Sequence, residues 1–186
     1  MLASGTGSLT KALVDAEKSG ELQVQLVAVG ADREAGVLDI AAAAGLPTFL
    51  VFPADFACRD DWNRALAQAV AASEPDLVVS AGFMRILGAP YLERLGRITI
   101  NTHPAMLPAF PGAHAVRDAL AAGVSETGCT IHRVTAEMDA GPILAQTPVP
   151  VLPGDTEETL HERIKQVERR QLVAVVNQIA TGVFSL

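Results

Sequence analysis

The sequence predicts an α/β protein built on a doubly wound, mostly parallel sheet. Short runs rich in Val, Leu and Ile alternate along the chain with longer segments of helical periodicity, and this alternation is typical of parallel sheets covered by helices. A length of 186 residues with 49% hydrophobic content suits one sizeable core. Because no repeat, linker or low-complexity segment interrupts the pattern, we expect a single domain over residues 1–186.

Seven apolar, partly β-branched runs predict the strands. They are Leu2–Ala3, Gln23–Val29, Thr48–Phe52, Leu77–Ser80, Ile98–Asn101, Thr127–Val134 and Ile143–Val151. The first run resembles the end of a strand whose beginning is missing, so we expect a truncated first strand. A loop of ordinary length joins the last two runs, which makes an antiparallel pair plausible.

Six segments with helical spacing lie between and after these strands. They are Leu9–Lys18, Glu34–Ala44, Asp60–Ser73, Ala89–Leu95, His114–Ala122 and Thr156–Ile179. Gly20, Gly45 and Gly123 follow three of them and act as stop signals. Asp155 and Thr156 are candidate caps for the last and longest helix.

The composition argues against several classes of protein. With 14 basic and 21 acidic residues the net charge is −7, so a general nucleic-acid-binding face is not expected. No apolar run reaches the length of a membrane span, and no signal peptide is visible. Two cysteines without CxxC spacing fit a reduced, cytoplasmic setting. No His or Cys spacing is typical of a metal site, so no metal is predicted.

Three stretches that could carry chemistry lie at predicted carboxyl ends of strands, where ligands bind in such sheets. They are residues 4–8, 81–87 and 101–112. In the last of these, Asn101 and His103 are two positions apart and therefore share a face of the strand. Three prolines fix the loop that follows. We interpret the pair as donors to an oxyanion; the alternative is that they satisfy buried backbone groups.

The stretch Ser-Gly-Thr-Gly-Ser at 4–8 could turn several N–H groups toward a phosphate at the start of a helix. It lacks the features of a Walker A loop and of the dinucleotide fingerprint, so a plain tight turn is the alternative. Asp139 could orient a histidine, although its local sequence favours an ordinary turn. His132 lies inside a predicted strand and is interpreted as structural, while His114 and His161 are expected at the surface.

Taken together, four motifs resemble the folate-dependent formyltransferase family, in particular its members that act on phosphoribosylglycinamide in purine biosynthesis. In order they are Ser-Gly-Thr-Gly-Ser at 4–8, Ala-Gly-Phe-Met-Arg-Ile-Leu at 81–87, Asn-Thr-His-Pro-Ala-Met-Leu-Pro-Ala-Phe-Pro-Gly at 101–112 and Met-Asp-Ala-Gly-Pro at 138–142. The resemblance covers essentially the whole chain. It implies a Rossmann-like fold and transfer of a formyl group from 10-formyltetrahydrofolate, as co-substrate, to the amine of the ribonucleotide.

The resemblance also implies the site residues. The catalytic residues would be Asn101, His103 and Asp139. The ribonucleotide would contact Gly7, Ser8, Leu9, Thr10, Gly82, Met84, Lys165 and Glu168. Formyl folate would contact Arg59, Met84, Arg85, Ile86, Leu87, Asn101, Val134, Thr135, Ala136, Glu137 and Asp139.

Two positions depart from the family pattern. Leu9 stands where an Asn is usual; its backbone N–H can still face a phosphate, but the side-chain contact is lost unless Thr10 or Lys11 supplies one. Lys165 stands where a Gln is common. Two alternatives stay open: a hydrolase that releases formate from the same folate, and a non-catalytic nucleotide-binding module. A formyltransferase for initiator tRNA and a zinc hydrolase are disfavoured by the acidic charge and by the lack of metal ligands. The expected partners are small molecules, and a homodimer is the candidate assembly.

Overall fold

The computed structural model describes residues 1–184, and within them seven strands form one sheet. The strands are β1 (Leu2–Ala3), β2 (Val29–Ala31), β3 (Thr48–Leu50), β4 (Val78–Ser80), β5 (Thr99–His103), β6 (Glu126–Arg133) and β7 (Ile143–Pro150). Their order across the sheet is β3-β2-β1-β4-β5-β6-β7. Strands β1 to β5 pair in parallel, whereas β6 is antiparallel to both β5 and β7. The mostly parallel sheet and the antiparallel last pair are therefore confirmed, and β1 is short, as expected.

All six predicted helices are present, with bounds that differ from the predicted ones by a few residues. They are α1 (Ser8–Ser19), α2 (Gly36–Ala43), α3 (Arg59–Ala71), α4 (Ala89–Leu95), α5 (Ala115–Ala121) and α6 (Glu157–Ala180). Thr156 caps α6 as predicted, because its hydroxyl accepts from the N–H of Thr159 at 3.3 Å. In the described part of the chain, no helix has both the length and the apolar character needed to cross a bilayer.

The helices cover both faces of the sheet. Neighbouring residues of β4 point to opposite faces, and they pack into different clusters: Val79 lies among residues of α1 and α6, whereas Val78 lies among residues of α3 and α4. Both valines are at most 5% exposed. A sheet buried on both sides leaves its strand ends as the place where polar groups can meet a ligand.

The strand predicted at 23–29 is wrong for most of its length, since β2 covers only Val29–Ala31. The backbone N–H of Gln23 donates to the Asn177 side chain at 2.8 Å, and that of Leu26 donates to the Glu17 carboxylate at 3.0 Å. Side chains of α1 and α6 therefore satisfy donors that a strand would direct to a neighbouring strand. The Val- and Leu-rich pattern arises because this segment packs against α1 and α6.

Strand β5 begins and ends later than the predicted run at 98–101. His103 is consequently its last residue rather than the second residue of a loop, and it pairs in register with Thr130 of β6. The strand thus fixes the backbone of both Asn101 and His103. This places the two side chains at the carboxyl end of a central strand.

Candidate active site

A cavity of about 560 Å³ opens at the carboxyl ends of β1, β4 and β5, which is within the size range of small-molecule sites. The three stretches singled out from the sequence all contribute to its walls, together with residues 134–135 and 137–139 and one face of α6. The cavity therefore brings together segments that are far apart in the chain. Its donors and charges determine what it can bind.

Asn101 is held by a hydrogen bond on each side of its amide. The Ser80 hydroxyl donates to Asn101 Oδ1 at 2.8 Å, and Asn101 Nδ2 lies 3.2 Å from His132 Nε2. The other ring nitrogen of His132, Nδ1, donates to the carbonyl of Arg133 at 3.1 Å, which fixes the ring between the strand and the Asn101 amide. The second N–H of the amide is left for a ligand in the cavity.

His103 is 4% exposed and has an acceptor beside each ring nitrogen. Nε2 donates to the carbonyl of Phe110 at 2.8 Å, and Nδ1 lies 3.5 Å from Asp139 Oδ2. A carbonyl on one side and a carboxylate on the other complement a ring that carries a proton on both nitrogens. The separation from Asp139 is longer than a hydrogen bond, so the Nδ1 proton can also approach an oxygen in the cavity.

Asp139 links the two histidines to the loop that follows β5. Its Oδ1 lies 3.6 Å from His132 Nε2, and its Oδ2 accepts from the N–H of Gly112 at 2.8 Å. The ring of His132 is the main reason that the pKa of Asp139 lies below its usual range. Burial acts in the opposite direction, but the Gly112 N–H and the charge of His103 add to the effect of His132 and outweigh it. Asp139 is therefore ionised across the neutral pH range.

The proline-rich loop after β5 is fixed from below by β6 and β7. The Thr130 hydroxyl donates to the carbonyl of Ala105 at 2.6 Å and accepts from the N–H of Leu107 at 3.1 Å. Gln146 donates to the carbonyl of Leu107 at 2.7 Å. The loop can thus present the Phe110 carbonyl to His103 and the Gly112 N–H to Asp139 without rearranging.

The glycine-rich turn forms another part of the cavity wall, at the start of α1. Gly7 has φ 77°, and a Cβ there would lie 2.8 Å from Val37 Cα, so only glycine fits. The bond from Lys11 N to the Gly7 carbonyl, 2.8 Å, is the first of the helix. The N–H groups before it are those that a helix start leaves free for an anion.

Helix α6 contributes three titratable side chains to the cavity. His161, Lys165 and Glu168 are spaced by four and three residues, so they share one side of the helix, and all three line the cavity. His114 is exposed, as expected, whereas His161 is half-buried, and both also line this cavity. Sequence spacing alone could not show which face of these helices the cavity takes.

Most residues implied by the resemblance line the cavity, but three do not. Those that do are Gly7, Ser8, Leu9, Gly82, Met84, Arg85, Ile86, Leu87, Asn101, His103, Val134, Thr135, Glu137, Asp139, Lys165 and Glu168. Thr10, in the first turn of α1, is fully buried, so only its backbone N–H remains for a ligand. Arg59 donates to the carbonyl of Ile86 at 2.6 Å and so contacts the wall from behind. Ala136 is exposed outside the lining.

His132 is the site residue that sequence reasoning missed. It is 2% exposed and contacts both Asn101 and Asp139. The available signal was its register: it pairs with Asn101 across the β5–β6 ladder. Within residues 1–184, no group of three or more His, Cys, Asp and Glu side chains is arranged to hold a metal ion.

Glu168 gives a prediction for stability. Burial raises the pKa of this carboxyl to about 7, against the opposing charges of Lys165 and Arg169. The folded state therefore holds the proton more tightly than the unfolded chain, and the resulting stability is present below the unfolded pKa of 4.5 and lost as the pH rises through about 7. Glutamine cannot ionise, so Glu168→Gln does not lose this stability as the pH rises. From about pH 4 to about pH 8, its free energy of unfolding should therefore increase by about 3 kcal/mol relative to that of the unsubstituted protein.

Urea titrations of both proteins at the two pH values measure this shift. Glu93→Gln, which replaces an exposed carboxylate on α4, is the matched control and should show no such change. An equal difference between Glu168→Gln and the parent protein at both pH values would contradict the raised pKa.

Comparisons with known proteins agree with this architecture. Residues 1–176 match the family model described as formyl transferase. The phosphoribosylglycinamide formyltransferase of Mycobacterium tuberculosis is 61% identical over 181 residues, which is 97% of this chain and 84% of that protein. The enzyme of the same name from Escherichia coli is 36% identical over 183 residues, covering 98% of this chain and 86% of its own length.

Solved structures show the same similarity. Glycinamide ribonucleotide transformylase 1 from Symbiobacterium toebii superposes with a TM-score of 0.95 at 40% identity, covering 97% of this chain and 86% of that one. Phosphoribosylglycinamide formyltransferase from Bacillus halodurans superposes with a TM-score of 0.94 at 33% identity, covering 100% and 96%. The resemblance seen in the motifs is thereby confirmed, and the chain belongs to the formyl transferase family.

Proposed function

We propose that this chain transfers the formyl group of 10-formyltetrahydrofolate to the amine of 5-phosphoribosylglycinamide, a step of purine biosynthesis. The observation that carries the proposal is the meeting of Asn101, His103 and Asp139 on one wall of a cavity whose other wall is the start of α1. The first wall suits an oxyanion and the second suits a phosphate. The names of the relatives support the same reaction.

In the proposed mechanism the nucleophile belongs to the substrate. An amine of this kind has a pKa of roughly 7.7–8, so a useful fraction is neutral near pH 7. Its nitrogen attacks the formyl carbon and gives a tetrahedral intermediate with negative charge on oxygen. The free N–H of Asn101 and the Nδ1 proton of His103 donate to that oxygen. The C–N bond to the folate then breaks.

Asp139 serves the proton balance of this reaction. Its carboxylate lies 3.5 Å from His103 Nδ1 and fixes the orientation of the ring. We propose that Asp139 also orients a water that takes the proton from the attacking amine and delivers one to the departing folate nitrogen. The amine then carries the formyl group and the folate leaves as tetrahydrofolate. No metal enters this sequence of steps.

The binding assignments follow the two walls. The ribonucleotide phosphate would rest on the N–H groups of Gly7, Ser8 and Leu9, with Thr10 contributing its backbone alone, and the ribonucleotide would also meet Gly82, Met84, Lys165 and Glu168. The folate would lie along residues 84–87 and 134–139, with Arg59 supporting that wall and Ala136 beside it. A single domain over residues 1–186 and a cytoplasmic location are part of this proposal. Its partners are these two small molecules, with a homodimer as the candidate assembly.

A formyl folate hydrolase is the alternative within the family. It would use water in place of the amine, and it would have no need of a phosphate-binding turn at the start of α1. The assay that separates the two incubates the protein with 10-formyltetrahydrofolate, with and without the ribonucleotide, and follows the folate product. We expect turnover with the amine only. Turnover without it would support the hydrolase, and none in either case would support a binding module.

A further inference from the structure

Residues 82–87, which we call the folate-side segment, form part of the cavity wall without belonging to a helix or a strand. Met84 and Ile86 of this segment are 64% and 51% exposed. Regular secondary structure therefore does not hold the segment, and its hydrogen bonds to other parts of the fold determine its path.

Ser4 holds the first half of the segment from beneath. Its N–H donates to the carbonyl of Gly82 at 3.1 Å, and its hydroxyl accepts from the N–H of Met84 at 2.9 Å. Ser4 is buried and directly follows β1. The same hydroxyl helps to hold the pKa of Asp32 below its usual range.

Asp32 is a buried carboxylate at the end of β2 that lies outside the cavity lining. Arg85 Nε donates to its Oδ2 at 2.6 Å, and the guanidinium of Arg33 donates to the same oxygen at 3.0 Å. Burial alone raises the pKa of Asp32, but the hydrogen bonds from Arg33, Ser4 and Arg85 outweigh it and leave the pKa below its usual range. The charge is thus retained inside the protein because of these partners.

The second half of the segment is held from α3. Arg59 donates to the carbonyl of Ile86 at 2.6 Å, and Asn63, which is fully buried, accepts from the N–H of Gly88 at 2.7 Å. These contacts leave Arg85 as the residue of the segment whose side chain Asp32 holds directly.

We propose that Asp32 is a positioning residue for the folate co-substrate, because its carboxylate holds the Arg85 side chain in the conformation that receives the folate. This inference rests on the proposed function. It also gives Arg85 a different task from the one that the resemblance implies. Its guanidinium is engaged by Asp32 and orders the wall, rather than standing free to bind a carboxylate of the folate tail.

The two possible roles of Arg85, ordering the cavity wall or binding the folate tail, predict opposite results for Asp32→Asn. If Asp32 orders the segment, the variant populates the receptive conformation less often. A fall to one tenth would raise the KM for formyl folate by about tenfold, with kcat and the KM for the ribonucleotide changed by less than about twofold. If Arg85 instead binds the folate tail, Asp32→Asn frees that guanidinium, and the KM for formyl folate stays the same or falls.

Steady-state kinetics of Asp32→Asn, with each substrate varied in turn, measure these values, and Asp39→Asn on the exposed face of α2 is the matched control. Equal increases in both KM values, or no increase for the folate, would overturn the inference.

Arg85→Gln is a second variant, since Arg85 is partly exposed and its replacement leaves the core intact. We expect it to weaken binding of a formyl folate analogue without the glutamate tail as much as that of the complete molecule. Weakening confined to the complete molecule would overturn the inference.

Equilibrium binding of tetrahydrofolate, followed by protein fluorescence, provides a readout that does not depend on turnover. We expect Asp32→Asn to bind it about tenfold more weakly than the unsubstituted protein. If the unsubstituted protein binds tetrahydrofolate but shows no amine-dependent turnover, the proposed function fails while the assignment of Asp32 is still tested. Equal affinity of the two proteins would overturn the assignment even if the enzyme is active.

Discussion

Replacing His103 with alanine should lower kcat by on the order of 10²–10³, with both KM values close to those of the unsubstituted protein. The ring faces the cavity with Nδ1, while Nε2 is fixed by the carbonyl of Phe110. We infer that it donates to an oxygen that carries charge only in the transition state, so its removal affects turnover rather than ground-state binding.

Steady-state kinetics with both substrates check this expectation, and thermal unfolding shows whether the variant is folded. His103→Gln separates the charge from the hydrogen bond, because glutamine retains an N–H donor but cannot be cationic. We expect this variant to be slow as well. A kcat within about threefold of the parent value in His103→Ala would remove His103 from the mechanism.

Asp139→Asn should lower kcat by on the order of 10², which is the lower end of what a positioned proton-transfer group contributes. The substitution is nearly isosteric, and asparagine tolerates the φ of 54° found at this position. Its amide oxygen can still accept from the N–H of Gly112. The loss would therefore report the missing charge beside His103 and His132, not a collapsed loop.

The same variant predicts a pH dependence of stability. Since the pKa of Asp139 lies below its unfolded value of 3.8, the stability that its ionised form contributes is present above that value and lost as the pH falls through the lower, folded-state pKa. The difference in melting temperature between the parent protein and Asp139→Asn should shrink on acidification below about pH 4. Asp39→Asn, exposed on α2, is the control for both measurements. A difference that is constant with pH would contradict the assignment.

Much of the fold follows from local sequence. Helix ends are marked by Gly20, Gly45 and the Thr156 cap, and each of these signals acts through neighbouring backbone groups. The segment at 23–28 could not be assigned correctly, because its apolar pattern reports packing against helices distant in sequence. Its backbone donors are satisfied by Glu17 and Asn177, and no local rule predicts such partners.

The site likewise combines features that local sequence predicts with contacts between residues that are distant in the chain. The shared face of Asn101 and His103 followed from their spacing, and strand β5 places both at one cavity wall. The approach of Asp139 to His103 depends on the β6–β7 turn, where a Cβ at Gly141 would overlap the carbonyl of Arg133. His103 and Asp139 are 36 positions apart in the chain, and only the family resemblance predicted that they meet.

His132 shows why local reasoning undervalues some residues. A lone histidine inside a strand is usually structural, and its ring nitrogens here are indeed occupied by protein atoms. One of those atoms is the amide of Asn101, so its structural contact positions a reacting group. Cross-strand register decides this, and register is fixed by the assembled sheet.

An isotopically labelled formyl carbon on 10-formyltetrahydrofolate reveals the acceptor of the group. With the ribonucleotide present, we expect the label in the N-formyl group of the ribonucleotide product, with one tetrahydrofolate released for each group transferred. Without the amine, the label should remain on the folate. Recovery of the label as free formate, or its failure to leave the folate in the presence of the amine, would show that this protein does not transfer the formyl group to the amine.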